Sequence, residues 1–425
     1  MTAVGQAIAT AHREEWARVV ASLARRFGSL DLAEDAAAEA FAAAVATWPT
    51  EGVPANPGAW LTTTAKRKAI DWMRREGKRE QVESSGMAEQ NEKRVPAPLN
   101  GGLESPAVID DDRLRLIFTC CHPALAPEAQ VALSLRLVGG LTAVEIARAF
   151  LVQETTMGQR ITRAKEKIRV ARIPYRTPAA EDLPERVAGV LTVLYLVFNE
   201  GYLATGPDQD PVRPGLTAEA IRLARLMRDL MPEDGEVAGL LALMLLTEAR
   251  RTARVSPSGA LVPLAEQDRG AWNADLLAEG HELVRGRLAL GAAPGRYQIQ
   301  AAINAVHTSA RRFQDTNWPQ IVALYDQLGC LDPSPIVALN RAIAVGEVEG
   351  PEAALAMIDG LGKRLAGYHA YHATRAEMLR RLSRTQAACA AYEQAIALAG
   401  NTAEAAYLTG RRDQIKQGDQ HVLAS

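Results

Sequence analysis

The 425-residue chain is poor in the residues that would staple, span or catalyse. It has four cysteines, too few for a disulfide framework, and Cys120 and Cys121 are adjacent and cannot close a loop. Aromatic residues make up 5% of it, and alternating runs of Val, Ile, Tyr and Phe are scarce, which argues against sheet. The longest apolar run, near Leu240–Leu246, falls far short of the roughly 20 residues of a membrane span. No basic stretch precedes an apolar core at the N-terminus, so no signal peptide is read there. These absences fit a reducing cytoplasm, with no membrane partner. There is no glycine-rich phosphate loop and no nucleophile–base pair, so no cofactor and no catalytic residue is expected. No metal is expected either. Cys120, Cys121 and His122 are consecutive, whereas zinc ligands are spaced so that their side chains converge. His369 and His372 have no evident third ligand and are read as packing beside Tyr368 and Tyr371. An excess of one charge is also missing: 48 basic residues face 50 acidic ones, a formal net charge of −2. That balance argues against a purely nucleic-acid-binding chain, but not against local patches.

What the chain has is apolar, helix-favouring sequence. Hydrophobic residues make up 48%, alanine and leucine dominate, and both favour helix. The expected fold class is all-α, and the length suits two to four domains at roughly 100–200 residues each. A helical block over 1–80 breaks at Gly28-Ser29 and at Trp48–Pro57, which carries three prolines. Residues 81–103 have almost no apolar periodicity and read as a flexible linker. A second compact block covers 104–173. After a junction marked by Pro174, Pro178 and Pro184, helical patterning resumes over 185–418.

Three charged faces stand out. In the segment Leu141–Arg169, a short helix carrying Val144, Ile146, Ala147 and Phe150 precedes a longer one. There Met157, Ile161, Ala164 and Ile168 recur at helical spacing as one buried stripe. Thr156, Arg160, Arg163 and Lys167 fall on the opposite side, with Gln159 beside them. A helix-turn-helix needs such a face, its N-terminal residues reaching base edges while flanking cations neutralise phosphates. A solvated face on a small bundle has the same pattern, and the turn near Leu151–Glu154 lacks glycine. Over Thr62–Glu80, Leu61, Ala65, Ala69 and Trp72 make an apolar stripe, while Arg67, Arg74 and Lys78 share another face with Asp71 between them. An ordinary surface helix is the competing reading. Between Asp31 and Phe41 the sign inverts: Asp31, Glu34, Asp35 and Glu39 load one helix with carboxylates, a face for a basic protein partner if for anything.

The order of these features resembles the extracytoplasmic-function sigma factors. Ala33-Glu34-Asp35-Ala36-Ala37-Ala38-Glu39-Ala40-Phe41 is similar to their polymerase-clamp helix. Asn56-Pro57-Gly58-Ala59-Trp60-Leu61 through Asp71-Trp72-Met73-Arg74-Arg75 is similar to the helix beside their −10 loop, and Thr156 through Lys165 to their −35 recognition helix. The resemblance implies core RNA polymerase and promoter DNA as partners. It assigns Asp31, Glu34, Asp35, Glu39 and Phe41 to polymerase binding. It assigns a −10 loop at about Thr47–Asn56, with Asn56, Trp60, Lys66, Arg67, Asp71, Arg74, Arg75 and Lys78 on that element. Thr155, Thr156, Gln159, Arg160, Arg163 and Lys167 are assigned to the −35 element. The segments Asp111–Pro123, Phe198–Tyr202 and Tyr297–Ile303 resemble the subgroup with a long tetratricopeptide-like extension, which implies a regulatory tail that takes an unidentified protein or ligand.

The tail carries a weak internal repeat. A 34-residue shift, the tetratricopeptide period, sets Arg341-Ala342 on Arg375-Ala376, Val345 on Leu379, Val348 on Leu382 and Ala353-Ala354 on Ala387-Ala388. Two alanine-rich hairpins can also match by coincidence. A one-component helix-turn-helix regulator with a helical-repeat sensor would share these features without a polymerase-clamp helix, and a peptide-binding scaffold would need neither basic face.

Overall fold

The structure, a computed structural model, describes residues 3–84, 111–150, 152–202, 214–256, 261–400 and 402–423. Every regular element among them is helical; the only strand-like pairing is a single bridge between Val255 and Leu261. The chain forms two compact units, Met1–Leu196 and Val197–Ser425.

The first unit begins with α1 (Ala3–Phe27), α2 (Leu30–Glu51) and α3 (Pro57–Ser84). The first break is made by Gly28, whose φ of +68° suits glycine, and by Ser29, whose hydroxyl accepts a hydrogen bond from Leu32 N at 3.2 Å. The second break is shorter than expected. Residues 47–51 complete α2, so the open loop is only 52–56. Pro49 lies inside that helix, in its final turn, so the i→i−4 bond that its missing N–H removes lies at the helix end and not in its middle. Trp48, fully buried and edge-on to Trp60 at 5.5 Å, anchors the turn. Beyond Ser84, the segment read as a linker lies outside the described residues.

The unit continues with α4 (Asp112–Cys120), α5 (Pro127–Leu133) running into a π turn at Ser134–Val138, α6 (Ala143–Ala149) and α7 (Glu154–Val170). Of these, α4 and the π turn pack on α1. The buried Tyr175 hydroxyl donates to Ala21 O at 3.0 Å and to Asp112 O at 3.2 Å, tying α1 to α4. Cys120 and Cys121 are buried at the end of α4, where burial raises both thiol pKa values, that of Cys121 to about 11. The helix α8 (Leu183–Tyr202) follows and crosses the boundary between the units.

The second unit contains α9 (Pro214–Leu230), α10 (Gly235–Glu248), α11 (Arg251–Arg254), α12 (Ala274–Ala289), α13 (Arg296–Ser309), α14 (Trp318–Leu331), α15 (Pro335–Val348), α16 (Pro351–Asp359), α17 (Gly362–Leu365), α18 (His369–Arg381), α19 (Thr385–Ala397) and α20 (Thr402–Leu423). Helix α10 is apolar all round because it is enclosed: Val237 through Thr247 are all buried. The carboxylate of Glu236 caps α13, accepting from Tyr297 N and Gln298 N at 3.0 and 3.1 Å. From α14 onward, successive helices pair as hairpins. The 34-residue correspondence has a physical counterpart here. Arg341 meets Asp326 at 2.6 Å and Arg375 meets Asp359 at 2.7 Å, each tying a helix to a preceding one. Ala342, Ala376, Ala354 and Ala388 are fully buried at helix contacts. The correspondence lapses at Val348, which is exposed.

Candidate nucleic-acid interface

Helix α6 starts with a reciprocal cap: Thr142 N donates to Glu145 Oε2 at 2.7 Å, and Glu145 N donates to Thr142 Oγ1 at 3.2 Å. The turn after it is drawn in by Val152 N donating to Ala147 O at 3.0 Å, so this geometry is reached without glycine. In α7, Met157, Ile161, Ala164 and Ile168 are buried as their spacing requires. The three larger ones each contribute about 1.5–3 kcal/mol of apolar burial, which fixes the rotation of the helix. The opposite face then points outward by geometry. Thr155, Thr156, Gln159, Arg163 and Lys167 are exposed and Arg160 is half-buried. Among the described residues, none of Arg160, Arg163 and Lys167 makes an ion pair. Arg169, one turn on, is held by Glu166 at 2.5 Å.

The structure gives α3 a similar division. Leu61, Ala65 and Ala69 are fully buried. Trp72, expected on that stripe, is instead 45% exposed, because the core beneath ends one turn earlier. Arg67, Asp71, Arg74 and Arg75 are exposed and Lys66 is half-buried; the Lys78 side chain lies outside the described residues. Asn56 caps the helix, its Oδ1 accepting from Ala59 N at 3.0 Å, and Trp60 is half-buried against Trp48. Met73, beside Trp72 in sequence, is exposed as well.

The acidic helix α2 departs furthest from expectation. Phe41 is not on a docking face: it is buried and packs edge-on to His12 at 4.9 Å and beside Trp16 at 5.8 Å. Glu34 is buried as well. Its carboxylate is shared by the Arg136 guanidinium and by Lys165 Nζ, the latter at 2.5 Å. Lys165 also reaches Asp31 at 2.7 Å. Burial works against its charge, yet Glu34 and Asp31 outweigh this and hold its pKa above the ordinary lysine value. Glu39 is exposed and pairs with Lys68 at 3.2 Å. Asp35 is exposed; partial burial, reinforced by Glu34, raises its pKa. Two cations from the α5–α7 block thus occupy the acidic face of α2, joining residues 102 and 134 positions apart. Neither Arg136 nor Lys165 was singled out from the sequence, because nothing local marks them.

No group of His, Cys, Asp or Glu among the described residues is arranged to hold a metal ion. No described helix is long and apolar enough to cross a membrane.

Comparison with known proteins agrees with this arrangement. Residues 13–79 match the model of sigma-70 region 2, and residues 115–168 match that of sigma-70 region 4. Residues 186–288 match a family of unknown function, DUF6596. The chain is 44% identical over 402 residues to Uncharacterized protein R00370 of Rhizobium meliloti (strain 1021), covering 94% of this chain and 93% of that one. No solved structure matches. With R00370, the chain belongs to a family of sigma factors like the extracytoplasmic-function type, in which sigma-70 regions 2 and 4 precede a large helical C-terminal extension.

Proposed function

We propose that this chain works in the cytoplasm as an initiation factor of the extracytoplasmic-function type. It confers promoter recognition on core RNA polymerase, and its helical extension modulates that activity. The polymerase supplies the chemistry; this chain positions and opens DNA. One observation carries the reading: α3 and α7, in the two segments that match sigma-70 regions 2 and 4, each bury one apolar stripe and leave a basic face outward. In this reading, α7 reads the −35 duplex through Thr155, Thr156, Gln159, Arg160 and Arg163, with Lys167 on phosphate. The −10 strand lies along Asn56, Trp60 and the cations of α3. The α2 carboxylates face polymerase.

The pairing of α2 with Arg136 and Lys165 makes the present arrangement a closed one. Glu34 is covered, so polymerase docking on that face requires the α5–α7 block to move off. The 34-residue correspondence and the matched Arg341–Asp326 and Arg375–Asp359 pairs support a tetratricopeptide-like extension. Such stacked hairpins make extended surfaces suited to bridging partners, and we read the extension as required for activity. Because Leu183–Leu196 group with the first unit, a truncation that tests this belongs after Tyr202.

The test is co-elution of the purified full chain with core RNA polymerase on size exclusion. A stable complex is expected. A chain that binds promoter DNA alone and ignores polymerase would be a one-component regulator instead.

A further inference from the structure

The second unit holds a cavity of about 400 Å³ bounded by the ends of α10 and α11, residues 261–267, α18 and α20. We propose that it is a binding site for a small organic carboxylate with an apolar body. This goes beyond promoter recognition and does not depend on it.

The polar side of the cavity is fixed before any ligand arrives. The Arg254 guanidinium lies over the Tyr202 ring, 3.8 Å from its centroid, and donates to Tyr202 O at 2.8 Å. Stacking plus one backbone acceptor holds its plane, the preorganisation that a carboxylate fork needs. Arg250 lines the same space, and its buried Nε has no hydrogen-bond partner. His369 contributes its ring from the start of α18 and pairs with Glu404 at 3.5 Å. That hydrogen bond raises the His369 pKa and lowers that of Glu404, whose carboxylate also acts on Arg254. Arg250 and Arg254 remain, and among the described residues neither meets a carboxylate in an ion pair. Arg222, Arg381 and Arg411 of the same unit show the usual solution, each with a glutamate at 2.6–3.2 Å. Burial, with Arg250 adding to it, pulls Arg254 below the ordinary arginine value. Tyr202 and Glu404 act the other way without restoring it, and a bound anion would add to them.

The remaining wall is apolar. Leu261, Val262, Pro263 and Leu264 line one side, and Ala370 and Ala373 line another. An inorganic anion would leave that surface unused. A purely apolar ligand would cover two guanidinium groups that, among the described residues, have neutral acceptors, Tyr202 O for Arg254 and Asn304 Oδ1 at 3.4 Å for Arg250, and would leave their charge unmatched. The volume lies at the lower end of small-molecule sites. Tyr202, Arg250, Arg254 and residues 261–267 all fall within the stretch that matches the family of unknown function. Gly201 sits there because a Cβ would lie 2.7 Å from Thr217 N, and that close approach places Tyr202 at the cavity.

Isothermal titration of the full chain with octanoate and phenylacetate, against octanamide, phenylacetamide and inorganic phosphate, tests the site. At least one carboxylate should bind saturably with one equivalent, at least about tenfold more tightly than its amide and than phosphate. Arg250→Gln should abolish that binding. So should Ala370→Phe, which fills the cavity without touching its charges and serves where Arg250→Gln fails to fold; a retained thermal transition certifies each variant. Equal binding of acid and amide, phosphate binding as tightly as the acids, binding that survives both variants, or no carboxylate binding at all would each overturn the assignment.

Discussion

Helices α2 and α7 start from similar sequence logic and end in opposite states. Each sets a charged face against a buried apolar stripe. On α7 the cations Arg160, Arg163 and Lys167 keep no carboxylate partner among the described residues, whereas on α2 Asp31 and Glu34 are held by Lys165 and Arg136. The difference teaches where to look for partners. A charge satisfied within the chain is free for another molecule only after a rearrangement; a charge left facing solvent is ready at once. The second unit repeats the contrast, with ion-paired arginines along its hairpins and, at a cavity, Arg250 and Arg254, which meet no carboxylate in an ion pair among the described residues.

The comparison breaks most visibly if the pairs are removed. Arg136→Met with Lys165→Met would leave Glu34 buried without a cation, at a cost of about 3–5 kcal/mol. Separation of the two blocks avoids that cost. Resonance energy transfer between labels at the exposed Val45 and Val170 should therefore fall, and affinity for core polymerase should rise. Unchanged transfer with a lower urea midpoint would mean that the pairs only stabilise the fold.

A second prediction extends the contrast to a group kept neutral. His307 is half-buried beside Arg250 and Arg269, and desolvation, then those two cations, lowers its pKa to about 4. A depressed histidine contributes nothing adverse above its unfolded value. As pH falls from about 6.5 to about 4, the unfolded chain takes up a proton that the folded chain refuses, so stability drops by about 3 kcal/mol. His307→Asn should flatten that slope in urea titrations across the window. A slope left unchanged would place its cause in other groups.

On α7, Arg160→Ala or Arg163→Ala should each weaken promoter binding by about 1–3 kcal/mol and relax one base position. Lys167→Ala should weaken binding evenly and reduce the salt slope by about 1. If affinity and salt slope hold for all three, the outward face is not the DNA face. The smallest effect is expected at the exposed Lys68–Glu39 pair, where Lys68→Ala should change stability by about 1 kcal/mol or less. A larger loss would show that the outer edge of α2 is as engaged as Glu34.

These contrasts mark what sequence can carry. The stripe on α7 was legible because periodicity at 3.6 residues reports burial on one helix. The buried Leu61, Ala65 and Ala69 of α3 were legible for the same reason, but Trp72 was not, since only the packing partner decides where a stripe ends. Pro49 read as a break, yet the helix tolerates it in its last turn, with Trp48 buried beneath. Phe41 looked like part of a docking face because its burial comes from His12 and Trp16 on another helix. The Glu34–Arg136–Lys165 cluster was out of reach, as Glu34 lies more than a hundred residues from either cation in sequence. His369 read as aromatic packing beside Tyr368, and the tilted ring contact exists at 5.3 Å. Its Glu404 partner and the adjoining cavity arise only when α18 and α20 come together.

The most direct test of the account is run-off transcription with core RNA polymerase, the full chain and a panel of promoter fragments from its genomic neighbourhood. The account predicts a discrete transcript from at least one fragment, dependent on the chain and lost with Arg160→Ala/Arg163→Ala. No specific transcript from any fragment, together with no complex between the chain and core polymerase, would contradict it.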